Sequence, residues 1–372
     1  MRVIFRADAS HGIGAGHVLR CLAIAQGWRD ASRGARDADA STAEALPPLE
    51  RDAEPCERSG ELLLASTELP RALRRRWEAE GARVVDLSRG RLSSDPDASL
   101  RAVVCAWRPD VAVLDGYHLG RGSEDALTAT GASLAVLDDN HEHDTSRAAL
   151  VINAGAHAAS IDYGQTASLR GLPYALLRRE LRLATSATGP SADALCEAPV
   201  LVTLGGSDPR DLTAPLVERL VARGLPVAAL IGDLHARGAR LDRACTLPGV
   251  ERLEAREDIV PLLSRVGWAV SAAGGTALEL TALGHPVVAL ATVPNQRAAA
   301  HALPGPSFDL VGLEGAALEH ALDAAVDAVV AARRDHTRSL ALAAEGRARI
   351  DGQGAVRVAR ALASLASRRP AA

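Results

Sequence analysis

Short apolar runs alternate with longer amphipathic stretches from one end of the chain to the other, and this alternation constrains the fold more than any other feature. Val3–Phe5, Glu61–Ala65, Val84–Leu87, Val111–Leu114, Leu134–Leu137 and Leu150–Ile152 are such runs. Stretches with helical spacing, among them Val18–Ala31 and Pro70–Glu80, separate them. A short, continuous apolar run suits a strand buried on both faces, and parallel strands need a crossover that is usually a helix. The pattern predicts a doubly wound α/β sheet. A second series follows at Val200–Leu204, Val227–Ile231, Trp268–Ser271 and Val287–Ala291. Between the two series, Ala184–Pro199 is small, polar and proline-containing. The expectation is two Rossmann-like domains, 1–190 and 191–372, with a cleft between them.

The segment Ser32–Ser59 breaks the pattern. It carries Pro47-Pro48, many small residues and no period, so it is expected to be a disordered insertion after the first helix. The charge balance of 42 basic against 46 acidic residues leaves no basic footprint for nucleic acid or an anionic membrane. Every one of the basic residues is Arg. The missing Lys excludes a Walker A lysine, a Schiff-base lysine and an internal pyridoxal-phosphate aldimine. Cysteines at 21, 56, 105, 196 and 245 form no CxxC pair, so neither a zinc knuckle nor a disulfide framework is expected. Met1–Arg6 reads as a strand rather than a leader, and no run of about 18 apolar residues occurs. A cytoplasmic, soluble protein without membrane insertion is expected, with a monomer favoured.

The most informative motif is Arg6-Ala-Asp8-Ala-Ser10-His11-Gly12-Ile-Gly14-Ala-Gly16-His17. A strand runs through a glycine-rich turn into a helix, where backbone N–H groups face outward and favour an anion. The spacing is G-x-G-x-G rather than G-x-G-x-x-G, and the insertion displaces the acidic residue a dinucleotide site requires. His17 falls in the first helical turn. The positive end of a helix disfavours imidazolium, so His17 is expected to be neutral and able to accept a proton from water.

Two further glycine-rich turns lie in the second series: Gly205-Gly206-Ser207-Asp208-Pro209, and Gly274-Gly275-Thr276 followed by Glu279. Such turns cradle a diphosphate with backbone N–H groups and no lysine. Thr276-x-x-Glu279 also matches a capping box, so Glu279 either caps its helix or binds the hydroxyls of a ribose. Asn295-Gln296 follow the next strand and complete the set. In the first series Asp115-Gly-Tyr117, Asp138-Asp139-Asn140 and Asn153 stand at carboxyl ends of predicted strands, where open α/β sheets bind ligands. Asp138, Asp139, His141 and His143 share one short loop without a matching partner elsewhere, so no metal site is expected.

In their order along the chain these blocks resemble the nucleotide-sugar hydrolases of pseudaminic acid synthesis, the PseG/SpsG family. The resemblance opens on Arg6-x-Asp8-x-Ser10 and Gly14-x-Gly16-His17-Val-x-Arg20-Cys21. It continues through Asp115-x-Tyr117, Asp138-Asp139, Asn153, Tyr174-Ala-Leu-Leu-Arg178 and the second-domain blocks, to the tail Ile350-Asp-Gly-Gln-Gly354. It implies a GT-B-like fold, similar to that of the cell-wall glycosyltransferase MurG. It implies UDP held by Gly205, Gly206, Ser207, Gly274, Gly275, Thr276, Glu279, Asn295 and Gln296. Arg6, Asp8, Gly14, Gly16, Tyr117, Asp139, Asn153 and Arg178 would meet the sugar, and His17 would be catalytic. The implied reaction is hydrolysis of a UDP-linked diacetamido-trideoxy hexose to UDP and the free sugar, with no cofactor and no metal. The chain departs from the family at Ser32–Ser59 and at His301–Phe308, which is Pro-rich and short where relatives would continue a helix. A GT-B glycosyltransferase passing the sugar to an acceptor is the alternative, and a non-catalytic binding protein a third reading.

Overall fold

The computed structural model describes residues 1–34, 60–89, 95–187, 189–232, 235, 238–254 and 258–367. The expected insertion therefore lies outside the described residues from position 35 onward. The chain forms two units, one of residues 1–179 with 353–372 and the other of residues 180–352.

Unit 1 holds seven strands: β1 (Arg2–Arg6), β2 (Glu61–Ser66), β3 (Arg83–Asp86), β4 (Val111–Leu114), β5 (Ser133–Leu137), β6 (Leu150–Asn153) and β7 (Ser168–Arg170). They form one parallel sheet in the order β3-β2-β1-β4-β5-β6-β7. Unit 2 holds β8 (Val200–Thr203), β9 (Val227–Ile231), β10 (Val250–Glu254), β11 (Ala269–Ala272), β12 (Val287–Ala291) and β13 (Ser307–Asp309), in the order β10-β9-β8-β11-β12-β13, also parallel. In each sheet the strand order reverses once, between β1 and β4 in the first and between β8 and β11 in the second. Of the strands at these reversals, β4, β8 and β11 are buried throughout and β1 from Val3 onward, which is why they read as short apolar runs.

Three strands are absent from the sequence expectation: β7, β10 and β13. All lie at sheet edges. An edge strand has one neighbour and tolerates polar side chains, and β10 reads Val-Glu-Arg-Leu-Glu. The Pro-rich segment 301–308 is the link that ends the helix Arg297–Ala302 and starts β13. It crosses close to the sheet: a Cβ on Gly305 would stand 2.6 Å from the Val287 carbonyl oxygen.

The chain passes between units at Arg179/Glu180 rather than at 190/191, and the last helix, Gly354–Ser367, belongs to unit 1 rather than to the domain that precedes it. The reason is its apolar face. Ala355, Val358, Ala359, Leu362 and Leu365 recur at helical spacing and are buried in the same core as Cys21, Leu22 and Ala25 of the helix Gly16–Gly34. Burying each large side chain of that face contributes about 1.5–3 kcal/mol. The two helices approach so closely that a Cβ on Gly27 would lie 2.5 Å from the Ala355 carbonyl oxygen. Backbone cannot step aside as a side-chain tip can. Gly27→Ala is therefore expected to destabilise unit 1 by about 1–3 kcal/mol. Denaturant unfolding of the variant measures this, and an unchanged midpoint would show that the helices separate at little cost. Among the described residues no helix is long and apolar enough to cross a membrane.

Candidate active site

The switch point of the first sheet lies between β1 and β4, where Arg6 pairs with Leu114. Ligands bind open α/β sheets outside the carboxyl ends of strands at such reversals. The turn after β1 is shaped by Gly14, whose φ of +81° suits glycine and whose N–H bonds the Ser10 carbonyl at 2.7 Å. A Cβ on Gly12, Gly14 or Gly16 would meet nothing within 4 Å, so backbone lies open there. The helix begins at Gly16, leaving its first N–H groups with no preceding turn to bond.

His17 is buried one residue into that helix, and Asp115 directly follows β4 and is fully buried. His17 Nδ1 lies 2.6 Å from Asp115 Oδ1. Arg20, one turn further along the helix, donates to Asp115 Oδ2 from Nε at 3.1 Å and to Oδ1 from Nη2 at 2.6 Å. Burial pushes the Asp115 carboxyl up, but Arg20 and His17 outweigh it and hold the group below the ordinary carboxylate value. An ionised carboxylate only accepts, so the 2.6 Å contact puts an N–H on His17 Nδ1, with Arg20 Nη2 3.2 Å from the same nitrogen. Burial disfavours the Arg20 cation, yet Asp115 and Asp139 together raise its pKa.

Arg20 reaches a second carboxylate: its Nη1 donates to Asp139 Oδ2 at 2.5 Å. The Tyr117 hydroxyl donates to the same oxygen at 2.7 Å, and its ring meets His17 edge-on with centroids 4.9 Å apart. Thus His17, Tyr117 and Asp139 are brought together, with Asp115 and Arg20 joining them. Cys21 donates weakly to Asp115 at 3.9 Å; burial raises its thiol well above the usual range, so it stays protonated and inert.

Other residues expected at the sugar serve as braces as well. Asp8 is buried, and its Oδ1 accepts from Arg6 Nη1 at 2.6 Å, Thr67 N at 2.7 Å and Ser66 Oγ at 2.9 Å. Burial opposes its charge, but Arg6 prevails and holds the carboxyl far below its ordinary value. Asn153 is fully buried; its amide donates to the Asp139 carbonyl and to Tyr163 Oη, both at 3.0 Å. Asp138 binds the N–H groups of Asn140, Glu142 and His143 and so shapes the loop that carries Asp139. Arg178 is buried just before the chain leaves unit 1.

In the second sheet the switch point lies between β8 and β11, where Thr203 pairs with Ser271. That pairing sets the turn at Gly205, Gly206 and Ser207 beside the turn at Gly274 and Gly275. Gly205 has φ +85°, and a Cβ there, or on Gly275, would meet nothing within 4 Å. The helix Gly275–Leu283 is preceded by Gly274 at its N-cap with no side-chain cap bond. Thr276 is thus inside the helix, and Thr276-x-x-Glu279 is not a capping box. Thr276 and Glu279 are half-buried and lie three residues apart on one helix face. Gln296 Oε1 accepts from Thr292 N and Oγ1 at 2.9 and 3.0 Å, and its Nε2 would stand 3.9 Å from a Cβ on Gly274. The Asn295-Gln296 turn therefore adjoins the Gly274 turn. Asp208, Asp211 and His235 bring ligand-type atoms within 4.8 Å of one another. Asp208 already caps the helix Thr213–Ala222 through Leu212 N, Thr213 N and Thr213 Oγ1.

In the sequence Asp115 and Arg20 stand out only as parts of motifs. Their partnership with His17 is legible through topology: in a doubly wound sheet the first strand neighbours the fourth, so a polar residue ending β4 faces the helix that follows β1.

No family model matches the chain, and no curated protein matches it. Solved structures do. MurG of Acinetobacter baumannii aligns over 94% of this chain and 95% of its own, at 14% identity and TM-score 0.55. Anabaena HepE in complex with UDP and glucose aligns over 96% and 98%, at 15% identity and TM-score 0.59. S. aureus MnaA with UDP aligns over 96% and 94%, at 11% identity and TM-score 0.55. With two Rossmann-like units and these likenesses along nearly the whole chain, the fold is GT-B-like.

Proposed function

We propose that the protein is a nucleotide-sugar hydrolase that releases UDP and a free sugar. The observation that carries this reading is the His17–Asp115 pair at the first switch point. Asp115 fixes the Nδ1–H tautomer, so Nε2 is a lone pair held ready to take a proton from water. Unit 2 supplies the complementary need. The turn at Gly205, Gly206 and Ser207 and the helix start at Gly275 and Thr276, open at Gly205 and Gly275, would suit a diphosphate and stabilise charge on departing UDP. Glu279 and Asn295 would hold the nucleoside, while Tyr117, Asp139 and Arg178 would meet the sugar. UDP and glucose in HepE, and UDP in MnaA, support a UDP-linked substrate on a fold of this kind. The likeness of the motif set to the pseudaminic acid hydrolases favours water as the nucleophile and an amino sugar as the substrate.

Water attacks the anomeric carbon, its proton passes to His17 Nε2, and the anomeric C–O bond breaks with its electrons on UDP. No proton has to reach the leaving diphosphate. The transferase neighbours favour a second reading, in which His17 deprotonates an acceptor hydroxyl instead. Incubation of the protein with UDP-sugars in ¹⁸O-water, without any acceptor, separates the readings. The expected result is UDP release with the label in the sugar hydroxyl. Label in the nucleotide would refute C–O cleavage, and UDP release that requires an acceptor would establish the transferase.

A further inference from the structure

A second histidine–aspartate pair crosses the same switch point in the opposite sense. His17, after β1, pairs with Asp115, after β4; His118, after β4, pairs with Asp8, after β1. His118 Nε2 lies 2.8 Å from Asp8 Oδ2. The other Asp8 oxygen is filled by Arg6, Ser66 and Thr67, so the carboxylate is a fixed anchor buried to 1% exposure. The His118 side chain, by contrast, is 39% exposed. An ionised carboxylate accepts a hydrogen bond from the Nε2–H, so Nδ1 is the ring nitrogen turned away from the anchor. His118 also directly follows Tyr117, whose ring packs on His17.

An imidazole anchored at one nitrogen by a buried charge, exposed, and one residue from the ring that packs on the base is built for recognition more than for packing. From this we infer that His118 binds the sugar, Nδ1 accepting a hydrogen bond from a sugar hydroxyl or amide N–H. This rests on the nucleotide-sugar reading and deepens it: His118 determines specificity, whereas His17 handles the proton of water.

The test uses a UDP-linked diacetamido-trideoxy hexose, UDP-N-acetylglucosamine and UDP-glucose as substrates, UDP as the reference ligand, and the variants His118→Ala and His118→Gln. Glutamine places its amide nitrogen where Nε2 stands and so keeps the bond to Asp8. Loss of one hydrogen bond to a neutral group predicts a KM about 3- to 10-fold higher in both variants. The expected kcat and the affinity for UDP stay near wild type, as does the melting temperature of His118→Gln. An unchanged KM would overturn the assignment. So would a KM that rises in His118→Ala and recovers in His118→Gln, for that would make His118 a strap between strands and nothing more. Failure of the wild type to turn over any of the three sugars would refute both the parent reading and this one, and it shows in the wild type alone.

Discussion

His17→Ala lowers kcat by about 10²–10⁴, the usual cost of losing a general base, while affinity for UDP stays near that of the wild type. The separation of the two effects follows from where the groups lie. His17 belongs to the first sheet, and the glycine-rich turns proposed for the diphosphate belong to the second. Alanine removes the imidazole and with it the edge contact to Tyr117, but leaves the glycine turn and the helix start at Gly16 in place. Steady-state kinetics paired with calorimetry on UDP reads both quantities. A variant with nearly wild-type kcat would remove His17 from the chemistry and with it the proposed mechanism.

Asp115→Asn produces a loss of comparable size, about 10²–10⁴ in kcat, by a different route. An asparagine amide can donate to Nδ1, which moves the imidazole proton to Nε2 and turns the base into a donor. The substitution also strips Arg20 of a buried partner, and breaking such a pair costs about 3–5 kcal/mol. The two losses have separate pH signatures. The folded-state pKa of Asp115 lies below its ordinary value of 3.8. Its ionic contribution to stability is therefore present above that value and lost as pH falls through the folded-state pKa. The asparagine variant starts from lower stability at neutral pH and lacks this acid-limb decline. An Asp115→Asn enzyme with nearly wild-type kcat would show that His17 needs no partner.

Glycine spacing and apolar runs carry much of this arrangement in the sequence, because both are local. The turn after β1, the start of the following helix and the two turns of unit 2 all follow from neighbouring residues. The pairing of His17 with Asp115 does not: it spans 98 positions, and only the strand order brings the two together. His118 escapes for a different reason. It adjoins a motif without belonging to it, and its partner Asp8 lies 110 positions away. The last helix is misplaced because its apolar face is visible from spacing, but which core the face joins is not. Edge strands such as β10 escape because the alternation of charge with Val and Leu that suits a one-sided neighbour also suits a loop.

The split composition of unit 1 has a consequence for how the molecule is made. A ribosome releases residues in order, and domains generally fold as units while they emerge. Here the amino-terminal unit lacks the helix Gly354–Ser367 until the whole of the second unit, residues 180–352, has been synthesised. Residues 180–352 come out in one piece and hold every strand of their own sheet, so the later unit is the first that can fold to completion. During that interval the helix Gly16–Gly34 exposes the apolar groove that Val358, Leu362 and Leu365 finally fill. A nascent chain stalled shortly before Gly354 is thus a natural client for a chaperone, and a stop codon just before Gly354 leaves the core of the first unit uncovered on one helix.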